Sequence, residues 1–515
     1  MQNQSANNKR IAKNTLFLYV RMLFGMLVSL YTSRVILQAL GIEDYGIYNV
    51  VGGIVTMFTF LNGAIVASTQ RFLTFELGRS NIERLSQIFS TSLQIHILLS
   101  LFVFILAETI GLWFLNEEAI IPEERMQAAM WVYQISIISC IISIMSVPYN
   151  ADIIAHEKMS AFAYISVLEL VLKLLIVYLL YVSPWDKLIT YAVFLLLIQI
   201  IMRGIYTIYC NKHFQESIYR HNINKAIFKE MFCFAGWSFT GSLAVLLYSQ
   251  GLNILLNIFF GPLVNAARGI AVQIQGAIQG FVGNFQMALN PQITKNYANA
   301  NLEQMHSLMY RSSKFSFYIL FLITLPILLK CEYILILWLK EIPDNAVIFT
   351  QWMIVISLLN AIVNPCSVAI QATGKVKTYQ LVVGGILILI LPVSYIFLRA
   401  GYPAYSVFII HFSIECFAQL SRIFLLRKQI NINVGTYIRK VILPISLVVI
   451  ISSILPLVSQ NQLKNNFSDF VLTALVSLIS VSATTFFVGL TRNERRFIID
   501  KSKNFTKKII YVFKN

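Results

Sequence analysis

Five polar residues recur with helical spacing inside an otherwise apolar stretch of the chain: Arg268, Gln275, Gln279, Gln286 and Asn290. At about 100° per residue they fall within roughly a 60° stripe, about 33 Å long, on one face of a helix. An unpaired amide in hydrocarbon costs kilocalories, so a stripe of this kind must face water or other helices. A water-filled cavity satisfies it; so does interhelical hydrogen bonding, where amides tie helices together at about 0.6–2 kcal/mol each. Thr59, Asn62 and Gln70 form a weaker stripe earlier in the sequence. Arg21 lies deep in the first apolar stretch and Arg34 towards its far end. They stand about 140° apart on an ideal helix, so both face one cavity only if the helix bends, with Gly25 as the hinge position. Arg21 is therefore the central candidate, and Arg34 belongs at the external rim or in a structural pair. A guanidinium stays charged at physiological pH and grips phosphate through two parallel hydrogen bonds. Together these residues describe a cationic, amide-lined cavity suited to an anionic head group bearing many hydroxyls.

Acidic candidates are fewer. Glu169 and Lys173 are an i,i+4 pair in the favourable order. They neutralise each other structurally, or a proton or Na⁺ competes with the lysine for Glu169 and couples transport to a gradient. Glu415, one turn after His411, invites the same two readings. Asp152 and Glu108 fall near the ends of apolar stretches, where an interfacial position is expected.

The elements that must position these groups are membrane helices. The chain has 515 residues, 57% hydrophobic and only 12% charged. Apolar runs of about 20 residues, the length that crosses a hydrocarbon core, recur along it. About fourteen spans are expected: 14–40, 45–68, 87–115, 127–150, 160–182, 187–210, 230–259, 263–291, 313–338, 346–370, 378–398, 403–426, 438–458 and 467–490. The start, MQNQSANNKRIAKN, is polar and basic and lacks a small-residue cleavage site, so no removable signal peptide is expected. Six scattered cysteines show no CxxC spacing, which suggests neither a metal site nor a disulfide framework.

The sequence also repeats itself. Gly41 aligns with Gly261 and IERLSQIFSTS (Ile82–Ser92) with LEQMHSLMYRS (Leu302–Ser312). Pro148 and AHEKM (Ala155–Met159) align with Pro365 and ATGKV (Ala372–Val376), and Arg203 with Arg422. The fold class expected is all-α and integral to the membrane, with two six-helix lobes around a central cavity and two further C-terminal helices. The lobes would be 1–210 and 230–427, joined by a cytoplasmic linker at 211–229; the extra pair lies in 428–490. Six spans per lobe make the repeat parallel, with its pseudo-twofold axis along the membrane normal. The tail 491–515 reads as a basic amphipathic helix on the anionic inner leaflet, with solvated disorder as the alternative. Lys and Arg collect on one side of these spans, which puts both termini in the cytoplasm. The acidic loop NEEAIIPEER (Asn116–Arg125) falls on the other side. This bias accounts for the net charge of +17 without a nucleic-acid partner.

No GxxxxGK[ST] loop, HExxH, DxD-like pair or nucleophile elbow is present, so neither built-in ATP hydrolysis nor membrane glycosyl transfer is suggested. Duplicated lobes instead point to a transporter that rocks two bundles about a central site.

The run SRVILQALGIEDYGIYNVVGGIVTMFTFLNGAIVASTQRF (Ser33–Phe72) resembles the start of bacterial polysaccharide-export flippases of the Wzx type. These belong to the multidrug/oligosaccharidyl-lipid/polysaccharide exporter (MOP) superfamily. The resemblance implies a non-enzymatic flippase of the bacterial cytoplasmic membrane. Its substrate would be an undecaprenyl-diphosphate-linked oligosaccharide, an O-antigen or capsule repeat unit, moved by alternating access. Arg21 and Arg268 occupy helices comparable to those that carry cavity arginines in related lipid-linked precursor flippases. The last two spans would form the path of the polyprenyl tail. No cofactor is implied, and an H⁺ or Na⁺ gradient or the membrane potential would reset the cycle. Membrane lipids and polysaccharide polymerase or chain-length machinery are the further partners implied. The rival readings are a cation-coupled antiporter for small molecules and an integral-membrane glycan polymerase or ligase.

Overall fold

The computed structural model describes the backbone of residues 2–58, 60–117, 121–220, 224–339, 341–460, 466–496 and 499. Thr59 lies outside the described residues, as do the side chains of Arg34 and Asn62 and most of the basic tail. Every regular element among the described residues is helical.

Those of twelve residues or more are, in chain order, α1 (Gln2–Phe58), α2 (Phe60–Arg79), α3 (Ile82–Leu106), α4 (Glu123–Ala155), α5 (Met159–Val182), α6 (Lys187–His213) and α7 (Lys225–Phe260). There follow α8 (Pro262–Ala298), α9 (Leu302–Leu329), α10 (Ala346–Ala372), α11 (Lys377–Ile388), α12 (Ser406–Ile430), α13 (Leu443–Gln460) and α14 (Phe467–Thr484). Among the described residues, eleven helices are long and apolar enough to cross a membrane. Three of the expected fourteen spans are not among them: the first, second and eighth. They lie in α1, across the end of α1 and the start of α2, and in α8, and carry the arginines, glycines and amides singled out in the sequence.

The repeat is written into the backbone of the turns. Gly41 and Gly261 both adopt positive φ (81° and 79°), a region where a Cβ costs about 1–2 kcal/mol. Ser80 and Ala300 match at 57° and 55°, and Glu157 and Gly374 at 58° and 78°. Immediately after the second pair, Asn81 accepts the Arg84 N–H at 3.1 Å and Asn301 accepts the Gln304 N–H at 3.1 Å, the same N-cap in both repeats. Pro148 in α4 and Pro365 in α10 each break a hydrogen-bond ladder. In each case a side chain reaches the carbonyl three residues earlier, Arg203 to Met145 and Ser313 to Ile362.

Cα packing divides the chain into two units, one of 1–246, 284–305 and 368–385, the other of 247–283, 306–367 and 386–515. Two short pieces of the second repeat thus pack with the first unit. Its core gathers Phe89, Tyr149, Met159, Tyr206 and Cys210, with Ala288 and Val376 from the later pieces. Lipid is as apolar as these side chains, so van der Waals fit and polar contacts hold the helices together. At one end of this unit Arg125 forks onto Asp44 (2.8 and 2.6 Å) and also reaches Asp186 at 2.6 Å. Asp186 simultaneously caps α6, accepting the Ile189 N–H. In the second unit Ser480 donates to the Ser452 carbonyl and joins α14 to α13, while Lys314 of α9 pairs with Glu494 at 2.7 Å.

Candidate functional site

Arg21 stands in the wall of a cavity of about 520 Å³ within the first unit. Met22, Gly25, Met26 and Ser29 of α1 line it, facing Ser166, Glu169 and Leu170 of α5. The guanidinium contacts the Ser166 hydroxyl at 3.4 Å and lies over the Phe162 ring, 4.9 Å from its centroid. Glu169 bonds to Lys173 at 2.6 Å, so the expected i,i+4 pair forms. Lys173 in turn lines a second cavity of about 430 Å³ with Thr32, Tyr48, Ser139 and Gln199. The ion pair therefore has its carboxylate in the wall of one cavity and its ammonium in the wall of the other.

The polar stripe on α8 is helical as expected, and its members differ in surroundings. Arg268 is buried in the second unit, donating to Asn253 Oδ1 and, at 2.9 Å, to the Ser249 carbonyl. Gln275 is half-buried and Gln279 exposed. Gln286 is buried and Asn290 half-buried, and both belong to the first unit. Interhelical bonding thus accounts for Arg268, whereas Gln279 remains open.

Arg268 belongs to a larger buried group. Tyr248 packs edge-on against His411, with ring centroids 5.0 Å apart. Glu415 pairs at 2.8 Å with Arg422, two turns along α12, and both are almost fully buried. His411, one turn before Glu415, faces Tyr248. The arginine that neutralises Glu415 is Arg422, the repeat counterpart of Arg203.

Sequence reasoning missed a second constellation, at the end of the first unit where the α2–α3, α4–α5 and α8–α9 turns meet. Glu157, its side chain 1% exposed, accepts bonds from Lys295 Nζ and Gln292 Nε2 of α8, both at 3.0 Å. Asn14 of α1 donates to the Glu157 carbonyl. Arg71 of α2, held among Phe72, Phe75 and Phe234, donates to the Ala372 carbonyl at 3.0 Å and abuts Gly374. Between these two clasps α2 meets α8 directly. A Cβ on Gly78 would lie 2.8 Å from the Ala298 side chain and 3.0 Å from the Lys295 carbonyl. Glu157 and Gly374 are repeat partners, so the loop of each repeat is held by a helix that belongs to the other. The AHEKM/ATGKV correspondence marked the loops, but nothing in the sequence marked their partners.

A family model described as polysaccharide biosynthesis protein matches residues 11–297. No curated protein matches the sequence. Among solved structures, a MATE protein in the bent conformation superposes with TM-score 0.72 at 15% identity. An outward-facing MATE-family multidrug resistance transporter of the MOP superfamily gives 0.67 at 15% identity. A MOP superfamily transporter from Pyrococcus furiosus, described as having a binding pocket of reversed polarity, gives 0.67 at 14%. Each comparison covers 82% of this chain and 96% of the other. The chain is a multi-pass membrane protein of the polysaccharide biosynthesis family, built on the helical fold of the MOP superfamily transporters.

Proposed function

We propose that the protein is a flippase that moves an undecaprenyl-diphosphate-linked oligosaccharide, an O-antigen or capsule repeat unit, from the cytoplasmic to the outer leaflet of the bacterial cytoplasmic membrane. The observation that carries this reading is Arg21, a permanent cation in a cavity wall between two membrane helices, with a serine hydroxyl and apolar stems around it. A diphosphate is the headgroup chemistry that such a guanidinium binds bidentately. The half-buried amide of Asn290, in the same unit as Arg21, suits sugar hydroxyls, and the polyprenyl tail stays in lipid. Arg268 donates to Asn253 Oδ1 and to the Ser249 carbonyl, contacts that fix the α7–α8 corner. The clasps at Glu157 and Arg71 support alternating access. They close the end of the first unit that the positive-inside bias assigns to the cytoplasm, and both are polar contacts that can open without unfolding a helix.

The experiment is a leaflet assay in depleted cells complemented with variants. Lipid-linked oligosaccharide is extracted and its sidedness scored with a membrane-impermeant glycan-modifying reagent. The wild-type chain should restore outer-leaflet exposure, Arg21→Lys should do so in part, and Arg21→Glu should trap completed units on the cytoplasmic side. Single units that reach the outer face and fail to polymerise would move the assignment to an enzyme of glycan assembly. No accumulation on depletion would favour small-molecule export.

A further inference from the structure

One cluster of titratable side chains lies apart from the cavity and the clasps. Asp152 and His156 are an i,i+4 pair on the last turn of α4, and Glu216 sits on a single helical turn (Gln215–Ser217) at the start of the linker after α6. One donor atom from each lies within 4.8 Å of the others. His156 Nε2 is 3.1 Å from Glu216 Oε1, and Nδ1 is 3.3 Å from Asp152 Oδ1 and 3.1 Å from the Asp152 carbonyl. Phe214 stacks on the imidazole at 3.9 Å and fixes its plane. Asp152 is fully buried, and its Oδ2 has no hydrogen-bond donor.

We propose that Asp152, His156 and Glu216 form a binding site for one divalent transition-metal cation of the Zn²⁺ or Mn²⁺ type. Three observations lead there. The first is the donor set: one imidazole nitrogen and two carboxylates is borderline chemistry that suits these ions rather than Na⁺ or Mg²⁺. The second is spacing. Two ligands about 2.1 Å from a common ion, at roughly right angles, stand about 3 Å apart, and Nε2 and Oε1 are 3.1 Å apart. The third is charge. With a protonated imidazole the buried group carries a net single negative charge and leaves Asp152 Oδ2 without a donor. A dication with a neutral imidazole brings the sum to zero and gives that oxygen a partner, the condition under which buried charge is tolerated. The nearby Cys210 thiol donates to the Tyr149 carbonyl, so water completes the coordination, entering along the side where the His156 side chain is 20% exposed. Bound metal would join the α4–α5 turn to the linker, one residue from the Glu157 clasp.

The test uses the full chain, purified in detergent without a polyhistidine tag, stripped with EDTA and dialysed against Zn²⁺ or Mn²⁺. Elemental analysis should find about one equivalent per chain. His156→Gln and Glu216→Gln should each weaken binding at least 10-fold, while Glu303→Gln, exposed in the first turn of α9, leaves it unchanged. X-ray absorption at the Zn edge of the wild-type protein gives a readout that needs no variant. One imidazole nitrogen with oxygen neighbours at about 2.0–2.1 Å is expected. Absence of stoichiometric metal, a sulfur ligand on the metal, or undiminished affinity in folded His156→Gln and Glu216→Gln would overturn the site and leave the imidazolium as the bridge between the two carboxylates.

Discussion

Glu157→Gln isolates the contribution of one clasp. The substitution keeps the shape of the side chain and a neutral hydrogen bond to Gln292 Nε2, but removes the negative charge that Lys295 Nζ meets at 3.0 Å. A hydrogen bond with an ionised partner contributes about 1.5–3 kcal/mol and a neutral one about 0.5–1.5, so the loss is about 1–2 kcal/mol. Lys295 is 24% exposed and rehydrates when the clasp opens, which favours the lower figure. A shift of 1–2 kcal/mol changes the ratio of open to closed clasp by about 5- to 30-fold. Spin labels at Arg79→Cys and Asn299→Cys, both exposed beside the Gly78–Ala298 contact, report that ratio as a distance distribution. The exposed native Cys233 is first replaced by serine. Glu157→Gln should enlarge the long-distance population, and Glu157→Gln with Lys295→Gln together should add little more. An unchanged distribution, or two single effects that simply add in the double variant, would refute the clasp as an energetic unit.

Other outcomes follow from single contacts. Gly374→Ala should lower the thermal midpoint more than Gly41→Ala: both force a Cβ into positive φ, but only at residue 374 would it lie 2.8 Å from Arg71 Nη2. Asn81→Ala and Asn301→Ala should each destabilise by about 1 kcal/mol, since they remove the same cap from equivalent turns. Denaturant titration in detergent compares the two, and a large inequality would contradict the equivalence. At Glu494, burial raises the carboxyl pKa but the Lys314 ammonium outweighs it, so the folded value lies below the ordinary 4.5. The stabilisation is thus complete above pH 4.5 and disappears as pH falls through the folded value. The midpoint difference between wild type and Glu494→Gln should be constant above pH 4.5 and close below it.

How much of this was legible in the sequence depends on the range of the physics involved. Helices, the repeat and the turns that punctuate it are local, and Gly41/Gly261 and Pro148/Pro365 announced them. The Glu169–Lys173 pair, four residues apart on one helix, was equally readable. Partners far apart in sequence were not. Glu157 meets Lys295 across 138 residues and Arg71 meets Ala372 across 301. Glu415 stands close to His411 in sequence but pairs with Arg422, because α12 turns His411 towards Tyr248. Asp152 was expected at an interface because it ends an apolar run; in the fold it is buried beside His156 and Glu216 of the linker turn, a grouping that no periodicity encodes.

The divergence between repeats carries a mechanistic consequence. Turn geometry has been kept at the Glu157/Gly374 pair, while the chemistry has not. In one clasp the loop offers a carboxylate to a lysine and a glutamine; in the other the Ala372 carbonyl accepts from Arg71. A backbone carbonyl cannot be neutralised by protonation or by a competing cation, and an arginine held among three aromatic rings keeps its place through packing as well as charge. The two clasps should therefore respond differently to the same perturbation. High salt, which screens the partly exposed Glu157–Lys295 pair, should loosen the α4–α5 loop while leaving the α10–α11 loop seated. Hydrogen exchange of the two loops at low and high ionic strength measures this directly. Loosening of both together would mean that they open as one unit, and that the asymmetry between the repeats has no bearing on the order in which this end of the first unit is released.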